Sequence, residues 1–314
     1  MTLGEDTAIL TLLMSPGAGP MAVHRALGTA NAMGCELANL FDMPAATLEQ
    51  RVPGHAGRLV QQILACDESK RVRATKLMEA VQAAGGCTVL TDSDYYPFAL
   101  RETLSASMPP LLFCAGNIGL LMEPGAAIVG TRTATDPGLA LSKRCGEVFA
   151  EAGITVISGG AAGVDTAAHE GTLRAGGNTI VVLPQGLLTY QPTDIIREGL
   201  SERRVCLVSE FIPDMPWQTQ AAVIRNATIS AMSRLVCVIE PKKTGGSIRT
   251  AKCAIQNGRR VLIYLTNPND PVIKQLSRTH TFNILDDNRR FHEERLVAFW
   301  RSAPPIVRKQ PELL

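Results

Sequence analysis

The sequence predicts an α/β protein: an extended Rossmann-like, doubly wound and mostly parallel sheet with a small helical N-terminal domain. From residue 86 onwards, short apolar runs alternate with segments of helical length, as in a parallel sheet with right-handed crossovers. Most of these runs are continuously apolar, which is typical of strands buried on both faces. Four of the runs are followed by glycine-rich loops, the usual position of a ligand site in such sheets.

Length and composition agree with this class. The 314 residues are 46% hydrophobic and 19% charged, which suits a globular protein with one large domain and a smaller one. No apolar run reaches membrane-spanning length, and the first residues lack the pattern of a signal peptide, so we expect a cytoplasmic protein without membrane contact. The eight cysteines include no CxxC pair and are expected to be buried reduced thiols.

Residues 1–85 are predicted to form the helical domain. Helical patterns cover Met21–Leu27, Leu59–Ala65 and Arg71–Ala84, and the glycine pair at 85–86 ends the last of them. The turn Ser15–Pro20 resembles a helix-hairpin-helix turn, which holds a nucleic-acid phosphate on backbone amides. A purely structural turn explains the same residues, because proline and glycine occur in any loop.

Residues 86–267 are predicted to form the Rossmann-like domain, and residues 268–314 a short C-terminal extension. The predicted strands are Cys87–Thr91, Leu111–Cys114, Ala126–Val129, Ile154–Ile157, Thr179–Leu183, Val205–Val208, Leu235–Ile239 and Val261–Leu265. The predicted helices between them are Pro137–Ala152, Val164–Arg174, Thr193–Ser201, Gln218–Ser233 and Ser247–Asn257. The extension is expected to add a strand at Phe282–Leu285 and a helix at Glu293–Trp300.

The glycine-rich loops predict a phosphate-binding groove. Backbone amides in such loops, together with the N-terminus of the following helix, attract anions. The predicted phosphate-binding residues are Gly130, Thr131, Arg132, Ser158, Gly159, Gly160, Gly163, Gln185, Gly186, Arg225, Asn226, Lys242, Lys243, Thr244, Gly245, Gly246 and Ser247. The alternative for Arg132 is an ion pair with a local carboxylate, and for Arg225 a surface salt bridge.

A local excess of positive charge supports this prediction. Between Pro241 and Arg260 there are six basic residues and no acidic one, although the net charge of the whole chain is only +2. Such clustering is typical of a site for a polyanion. A solvated basic helix face is the alternative.

No catalytic or cofactor motif is found. Asp165 and His169 share one helix face, but Ser158 lacks the Gly-x-Ser-x-Gly frame of a hydrolase nucleophile. We therefore expect Asp165 and His169 to make structural hydrogen bonds that tie the helix to the sheet. The dinucleotide motif GxGxxG and the P-loop motif are absent, and no metal-ligand spacing is evident, so no catalytic residue, cofactor or metal is predicted.

Several segments together resemble one known family. They are AIVGTR at 127–132, SGGAAGVDTAAHEGTL at 158–173, GGNTIVVLPQGLLTYQP at 176–192, SEFIPDMP at 209–216, RNATISAMS at 225–233 and VIEPKKTGGSIRTAKCAIQNGRRVLIY at 238–264, with LMSPGAGP at 13–20 and DSDYYPFALRETLSASMPPLLFCAGN at 92–117 before them. In this order they resemble the DNA-processing protein A family (DprA, also called Smf). The resemblance implies a non-catalytic homodimer that binds single-stranded DNA and loads a RecA-type recombinase during natural transformation and recombination.

The sequence departs from the family pattern at two places. Ala162 stands where the family usually has arginine, and Ala222–Ala227 lacks the family's phenylalanine and two of its cations. Because stacking on an aromatic side chain stabilises a bound base by roughly 1–3 kcal/mol, we expect weaker or differently placed DNA binding, with more of it carried by Arg132, Arg225, Lys242 and Lys243. The C-terminal extension is expected to be too short for the winged-helix domain of some members.

Two other functions remain open from the sequence. The groove of a nucleotide-sensing module would hold a small nucleotide. An enzyme acting on a nucleotide N-glycosidic or phosphate bond would carry a Pro-Gly-Gly-x-Gly-Thr signature, whereas the nearest segment here is Pro184–Gly186.

Overall fold

In the computed structural model, residues 3–52, 57–265, 276 and 281–307 are described. The N-terminal region contains the helices α1 Glu5–Leu13, α2 Pro20–Ala32, α3 Leu37–Leu40, α4 Ala45–Arg51, α5 Gly57–Leu64 and α6 Glu68–Ala83. The cap of α6 illustrates why these helices begin where they do: the carboxylate of Asp67 accepts a hydrogen bond from the Lys70 amide, which satisfies one of the amides left open at a helix start. The predicted helical region is therefore present.

The rest of the chain alternates between strands and helices. The strands are β1 Gly86–Leu90, β2 Leu111–Gly116, β3 Gly125–Gly130, β4 Val156–Ser158, β5 Thr179–Val182, β6 Val205–Ser209, β7 Ser233–Ile239, β8 Arg260–Tyr264 and β9 Thr281–Asn283. The helices are α7 Phe98–Leu104, α8 Asp136–Glu151, α9 Val164–Arg174, α10 Asp194–Ser201, α11 Thr219–Ala231, α12 Gly246–Gln256 and α13 Glu293–Arg301. Predicted and observed bounds differ by a few residues at most.

The nine strands of the described residues form one sheet in the order β1-β2-β6-β5-β4-β3-β7-β8-β9. From β6 to β9 every neighbouring pair is parallel, whereas β1 and β2 pair antiparallel and β2 also runs antiparallel to β6. The prediction of a mostly parallel, Rossmann-like sheet is confirmed. The central strands β5, β4, β3 and β7 lie side by side, so their carboxyl ends meet at one edge.

The continuous apolar runs are buried because both faces of the sheet are covered. In β3, Ala126 and Ile128 join the hydrophobic cluster under α8, α9 and α13, while Ala127 and Val129 join the cluster under α7, α11 and α12. This alternation follows from the two-residue period of a strand. The two helical layers thus hold the strand ends, and the loops on them, in fixed positions.

The N-terminal helices extend one of these layers. Their core residues share a hydrophobic cluster with side chains of the neighbouring sheet, among them Phe113 of β2 and Val181 of β5. The domain boundary predicted at residue 85 falls between α6 and β1. That the two regions are separate domains remains a prediction.

Two further features concern expectations from composition. All eight cysteines are free, and five of them are buried; Cys87 on the edge strand β1 is exposed, contrary to the expectation for the whole set. Within the described residues, none of the helices has the length and apolarity that crossing a bilayer requires.

Candidate nucleic-acid interface

An open groove lies beyond the carboxyl ends of the central strands. Its larger chamber, about 370 Å³ in volume, lies above β3 and β7, and its smaller chamber, about 210 Å³, lies above β4 and β5. Arg132, Ala161, Trp217 and Arg225 line both chambers, so the two are continuous. The predicted residues on the groove wall are Gly130, Thr131, Arg132, Gly159, Gly160, Gln185, Arg225, Asn226, Lys242, Gly245, Gly246 and Ser247.

The loop after β3 places Arg132 in the groove. A Cβ atom on Gly130 would lie 2.3 Å from the Ile239 carbonyl oxygen and 2.5 Å from Cγ2 of Val164, so a glycine is needed where β3, β7 and α9 approach closely. The Thr131 amide donates to the Ile239 carbonyl (3.3 Å), and the Thr131 carbonyl accepts from the Val164 amide (3.3 Å). Because the backbone of Thr131 is fixed by these two hydrogen bonds, the exposed Arg132 side chain is the group of this loop that can contact a ligand.

The loop after β4 differs from expectation because its amides already hold an anion. The buried carboxylate of Asp165 accepts a hydrogen bond from the Gly159 amide at 3.1 Å, and the amides of Ala161 and Gly130 stabilise it as well. These amides are thus unavailable for a bound phosphate. Burial raises the pKa of Asp165, against the opposing effects of Arg225 and of the three amides.

The remaining predicted residues lie outside the groove wall. The hydroxyl of the fully buried Ser158 donates to the Ile128 carbonyl. Gly163 (φ +84°) packs under the first loop, where a Cβ atom would lie 2.5 Å from the Thr131 carbonyl oxygen. A Cβ atom on Gly186 would lie 2.1 Å from the Pro213 carbonyl oxygen. Lys243 and Thr244 are exposed but are not part of the wall.

Arg225 lies at the junction of the two chambers and is not part of a surface salt bridge. Only 4% of it is exposed, and its Nη1 donates to the Val182 carbonyl at the end of β5 at 3.0 Å. The guanidinium fits there because Gly159 has no side chain: a Cβ atom on Gly159 would lie 1.4 Å from Nη1. Burial and the nearby Arg132 lower the pKa of Arg225, whereas Asp165 and Glu210 raise it.

His169 ties α9 to the sheet below the groove. Its Nδ1 lies 2.7 Å from the Thr179 hydroxyl, and that hydroxyl donates to the Val156 carbonyl at 2.8 Å. Since the hydroxyl has a single proton, Nδ1 carries the proton that it donates to Thr179. Burial lowers the pKa of His169 to about 3, with a further contribution from Arg225. Asp165 and His169 therefore make separate structural contacts, one to the β4 loop and one to β4 and β5.

The fourth loop leads into the uncapped start of a helix. The N-cap residue of α12 is Gly245, and no side chain caps the first amides of the helix. They face the larger chamber beside Lys242. Asn226 holds this arrangement, because its Nδ2 donates to the Gly246 carbonyl at 3.4 Å. An uncapped helix start next to a cation is a favourable place for an anion.

The structure divides the basic run that the sequence places around this loop. Lys242 lines the groove. Arg259 and Arg260 follow the far end of α12, where their guanidinium groups donate to Thr103 and to Ser302. These two arginines make their contacts away from the groove wall, so the structure brings only the first part of the predicted basic run to the groove.

Trp217 was not predicted from the sequence, yet it lines both chambers. It is 45% exposed, and the Arg132 guanidinium lies over its ring, 5.2 Å from the centroid. Ala222 stands where the family has its phenylalanine, and it lines the larger chamber without offering an aromatic ring. Trp217 supplies one there. The only sequence signal was its position in the loop before α11, the helix that carries Arg225.

The fold and the groove define a Rossmann-like α/β protein, and the cations, helix-start amides and exposed indole at the carboxyl edge of its sheet give the groove a chemistry suited to an anion. The chain belongs to the DNA recombination-mediator protein A family, whose sequence model matches residues 87–281. The resemblance found in the sequence is thereby confirmed.

Individual relatives agree with this assignment. Protein Smf of Escherichia coli strain K12 is 37% identical over 172 residues, which are 54% of this chain and 46% of that protein. Protein Smf of Synechocystis sp. strain PCC 6803 is 30% identical over 235 residues, which are 71% of this chain and 56% of that protein. The matched segments thus span about half the length of these relatives.

Two solved structures show the same fold. The X-ray structure of DNA processing protein A from Streptococcus pneumoniae has a TM-score of 0.68 and 23% identity, and covers 87% of this chain and 90% of that chain. The structure of DNA processing protein A from Helicobacter pylori, whose study concerns a single-stranded DNA binding mode, has a TM-score of 0.58 and 23% identity. It covers 70% of this chain and 97% of that chain.

Proposed function

We propose that the groove binds the backbone of single-stranded DNA and that the chain acts as a non-catalytic mediator of recombination. The observation that carries the proposal is the combination of Arg132, Lys242 and the uncapped start of α12 around one open groove. Each offers positive charge or amide donors to phosphate, and a continuous groove tracks a flexible strand better than a stiff duplex. Family membership and the single-stranded DNA study of the Helicobacter relative support the same ligand.

The proposal includes partners that the family likeness suggests. The chain would form a homodimer in the cytoplasm and transfer the bound strand to a RecA-type recombinase, as in natural transformation. Non-catalytic action fits the groove chemistry: Ser158 is buried, His169 is neutral and buried below the groove, and Asp165 is engaged by backbone amides. None of the three is placed to attack a bound phosphate.

The test is DNA binding by an Arg132→Ala variant. Fluorescence anisotropy with a labelled dT oligomer is expected to show saturable binding by the wild-type protein and a clear loss of affinity in the variant. Arg174→Ala is a matched control, because Arg174 is an exposed arginine paired with Glu170 on α9, outside the groove wall. Equal affinity of the Arg132→Ala variant and the wild type would contradict the proposal.

A second candidate function is a nucleotide sensor. The larger chamber, at about 370 Å³, is within the size range of small-ligand pockets. A thermal shift with one mononucleotide, combined with no binding of the dT oligomer, would favour the sensor over the DNA mediator.

A further inference from the structure

We propose that Trp217 is the platform on which one base of the bound strand stacks, while the adjacent phosphate faces Arg132. This inference rests on the proposed function and adds to it the part of DNA that the groove recognises: the bases as well as the phosphates. Three features of the structure support it.

The first feature is position. Trp217 lines both the larger and the smaller chamber. A strand that occupies both chambers must therefore pass the indole ring. Tyr190 also lines the smaller chamber but is partly buried, so Trp217 is the more exposed of the two aromatic side chains that the described residues place on the wall; the exposed Tyr95 lies in the loop after β1.

The second feature is exposure without apolar packing. Trp217 is 45% exposed and belongs to none of the three hydrophobic clusters of the described residues. A tryptophan contributes most to stability when its large apolar surface is buried, so an indole left in a groove is typical of a binding surface. Val223, which is also exposed, extends the apolar part of the wall beside it.

The third feature is the contact with Arg132. The guanidinium 5.2 Å from the ring centroid forms a cation–π pair. This pair orients the ring and keeps the cation at the level of the ring, where a phosphate next to a stacked base would lie. An arginine can stack on an aromatic face and still donate to an anion through its edge. The two side chains can therefore bind adjacent parts of one nucleotide.

The experiment compares a dT oligomer with an oligomer of equal length whose sites are abasic, so that both carry the same phosphates. The wild type is expected to prefer the dT oligomer. Trp217→Ala is expected to lose roughly tenfold in affinity for dT, the equivalent of a stacking contribution of about 1.4 kcal/mol, and to bind the abasic oligomer as the wild type does. Trp217→Phe should retain most of the preference.

The control variant is Tyr95→Ala, because Tyr95 is similarly exposed (47%) and lies outside the groove. Equal weakening of both oligomers by Trp217→Ala would mean that the indole only supports Arg132, and would overturn the inference. An unchanged preference in Trp217→Ala would overturn it as well. If the wild type bound neither oligomer, the proposed function itself would fail, and the stacking role with it.

Fluorescence gives an independent readout. The chain has two tryptophans, and Trp300 packs on the opposite side of the molecule, with its Nε1 donating to the Gly125 carbonyl. In a Trp300→Phe variant the emission comes from Trp217 alone, and stacking should quench it when the dT oligomer is added but not when the abasic oligomer is added. Saturable dT binding without quenching would overturn the stacking role and leave DNA binding intact.

Discussion

Arg225 and Gly159 form the most constrained contact of the site. A guanidinium that is almost fully buried requires nearby acceptors and opposite charge, and the Val182 carbonyl, Asp165 and Glu210 supply them. The absence of a side chain at Gly159 creates the space. One glycine thus permits a buried cation at the junction of the two chambers.

Gly159→Ala should therefore destabilise the fold. The new Cβ atom would lie 1.4 Å from Nη1 of Arg225, so the guanidinium must leave its site, and its charged neighbours would lose their partner. We expect the free energy of unfolding to fall by about 3 kcal/mol, measured by urea denaturation. Gly28→Ala is the control, because a Cβ atom on Gly28 in α2 meets nothing within 4 Å. A Gly159→Ala variant as stable as the control would contradict this contact.

His169 makes stability depend on pH. Its pKa falls from the ordinary 6.5 to about 3 in the folded protein, so below pH 6.5 the unfolded chain binds a proton that the folded chain does not. The free energy of unfolding should then decrease by about 2 kcal/mol between pH 7 and pH 5 on account of this residue. His169→Gln should remove that part of the slope.

Denaturation curves of both proteins at pH 7 and pH 5 test this expectation. Asp165 and Glu210, whose pKa values burial raises, are present in both proteins and cancel in the comparison. We expect the variant to be less stable at pH 7, because it lacks the imidazole contact to Thr179, so the difference between the two pH values is the informative quantity. An identical difference in both proteins would show that His169 becomes protonated without unfolding.

Among the elements, α12 presents its first turn to the groove, whereas Arg259 and Arg260 follow its far end and contact Thr103 and Ser302. This orientation explains why only the first part of the basic run reaches the groove. The helix start is uncapped, and Lys242 precedes it by a few residues. If a phosphate binds there, Lys242 neutralises it and releases a counterion from the DNA, and a variant without the lysine would lose that contribution.

Lys242→Ala should consequently lower the slope of log affinity against log salt concentration by about one unit. Binding of the dT oligomer at several salt concentrations measures this slope. Lys76→Ala serves as the control, because Lys76 is exposed on α6, outside the groove wall. An unchanged slope in Lys242→Ala would place the phosphates elsewhere.

The strands and most helices could be predicted because their signals are local. A run such as Thr179–Leu183, which is apolar at every position after the threonine, has few alternatives to a buried strand, and observed β5 is Thr179–Val182. The use of the β4 loop amides could not be predicted in the same way. Whether the Gly159 amide binds a phosphate or the Asp165 carboxylate depends on how α9 packs against the loop. The spacing of apolar residues in the sequence carries no information on that packing.

Trp217 could not be predicted as a groove residue because its position depends on the order of the strands in the sheet. It follows β6, which lies three strands away from β3 in the sheet, and the contact with Arg132 forms only because the loop before α11 reaches back over β5 and β4. Sequence distance gives no sign of such a contact. The aromatic side chain expected to be missing from the groove is therefore supplied by a different segment.

At the scale of the whole molecule, the fold gathers residues from four separate loops at one edge of the sheet. Neighbouring parallel strands place their carboxyl ends together, and the two helical layers fix those ends from both faces. The result is a groove that offers cations, helix-start amides and an indole, with its interior carboxylate already satisfied by backbone amides. Such a groove is suited to hold a polyanion without reacting with it.

A titration of the wild-type protein with single-stranded and double-stranded DNA of the same length at increasing salt tests the proposed DNA binding most directly. We expect saturable binding that weakens as salt rises and that favours the single strand, since bases in a duplex are not free to reach Trp217. Absence of binding to the single strand at low salt, or equal affinity for both forms, would contradict it.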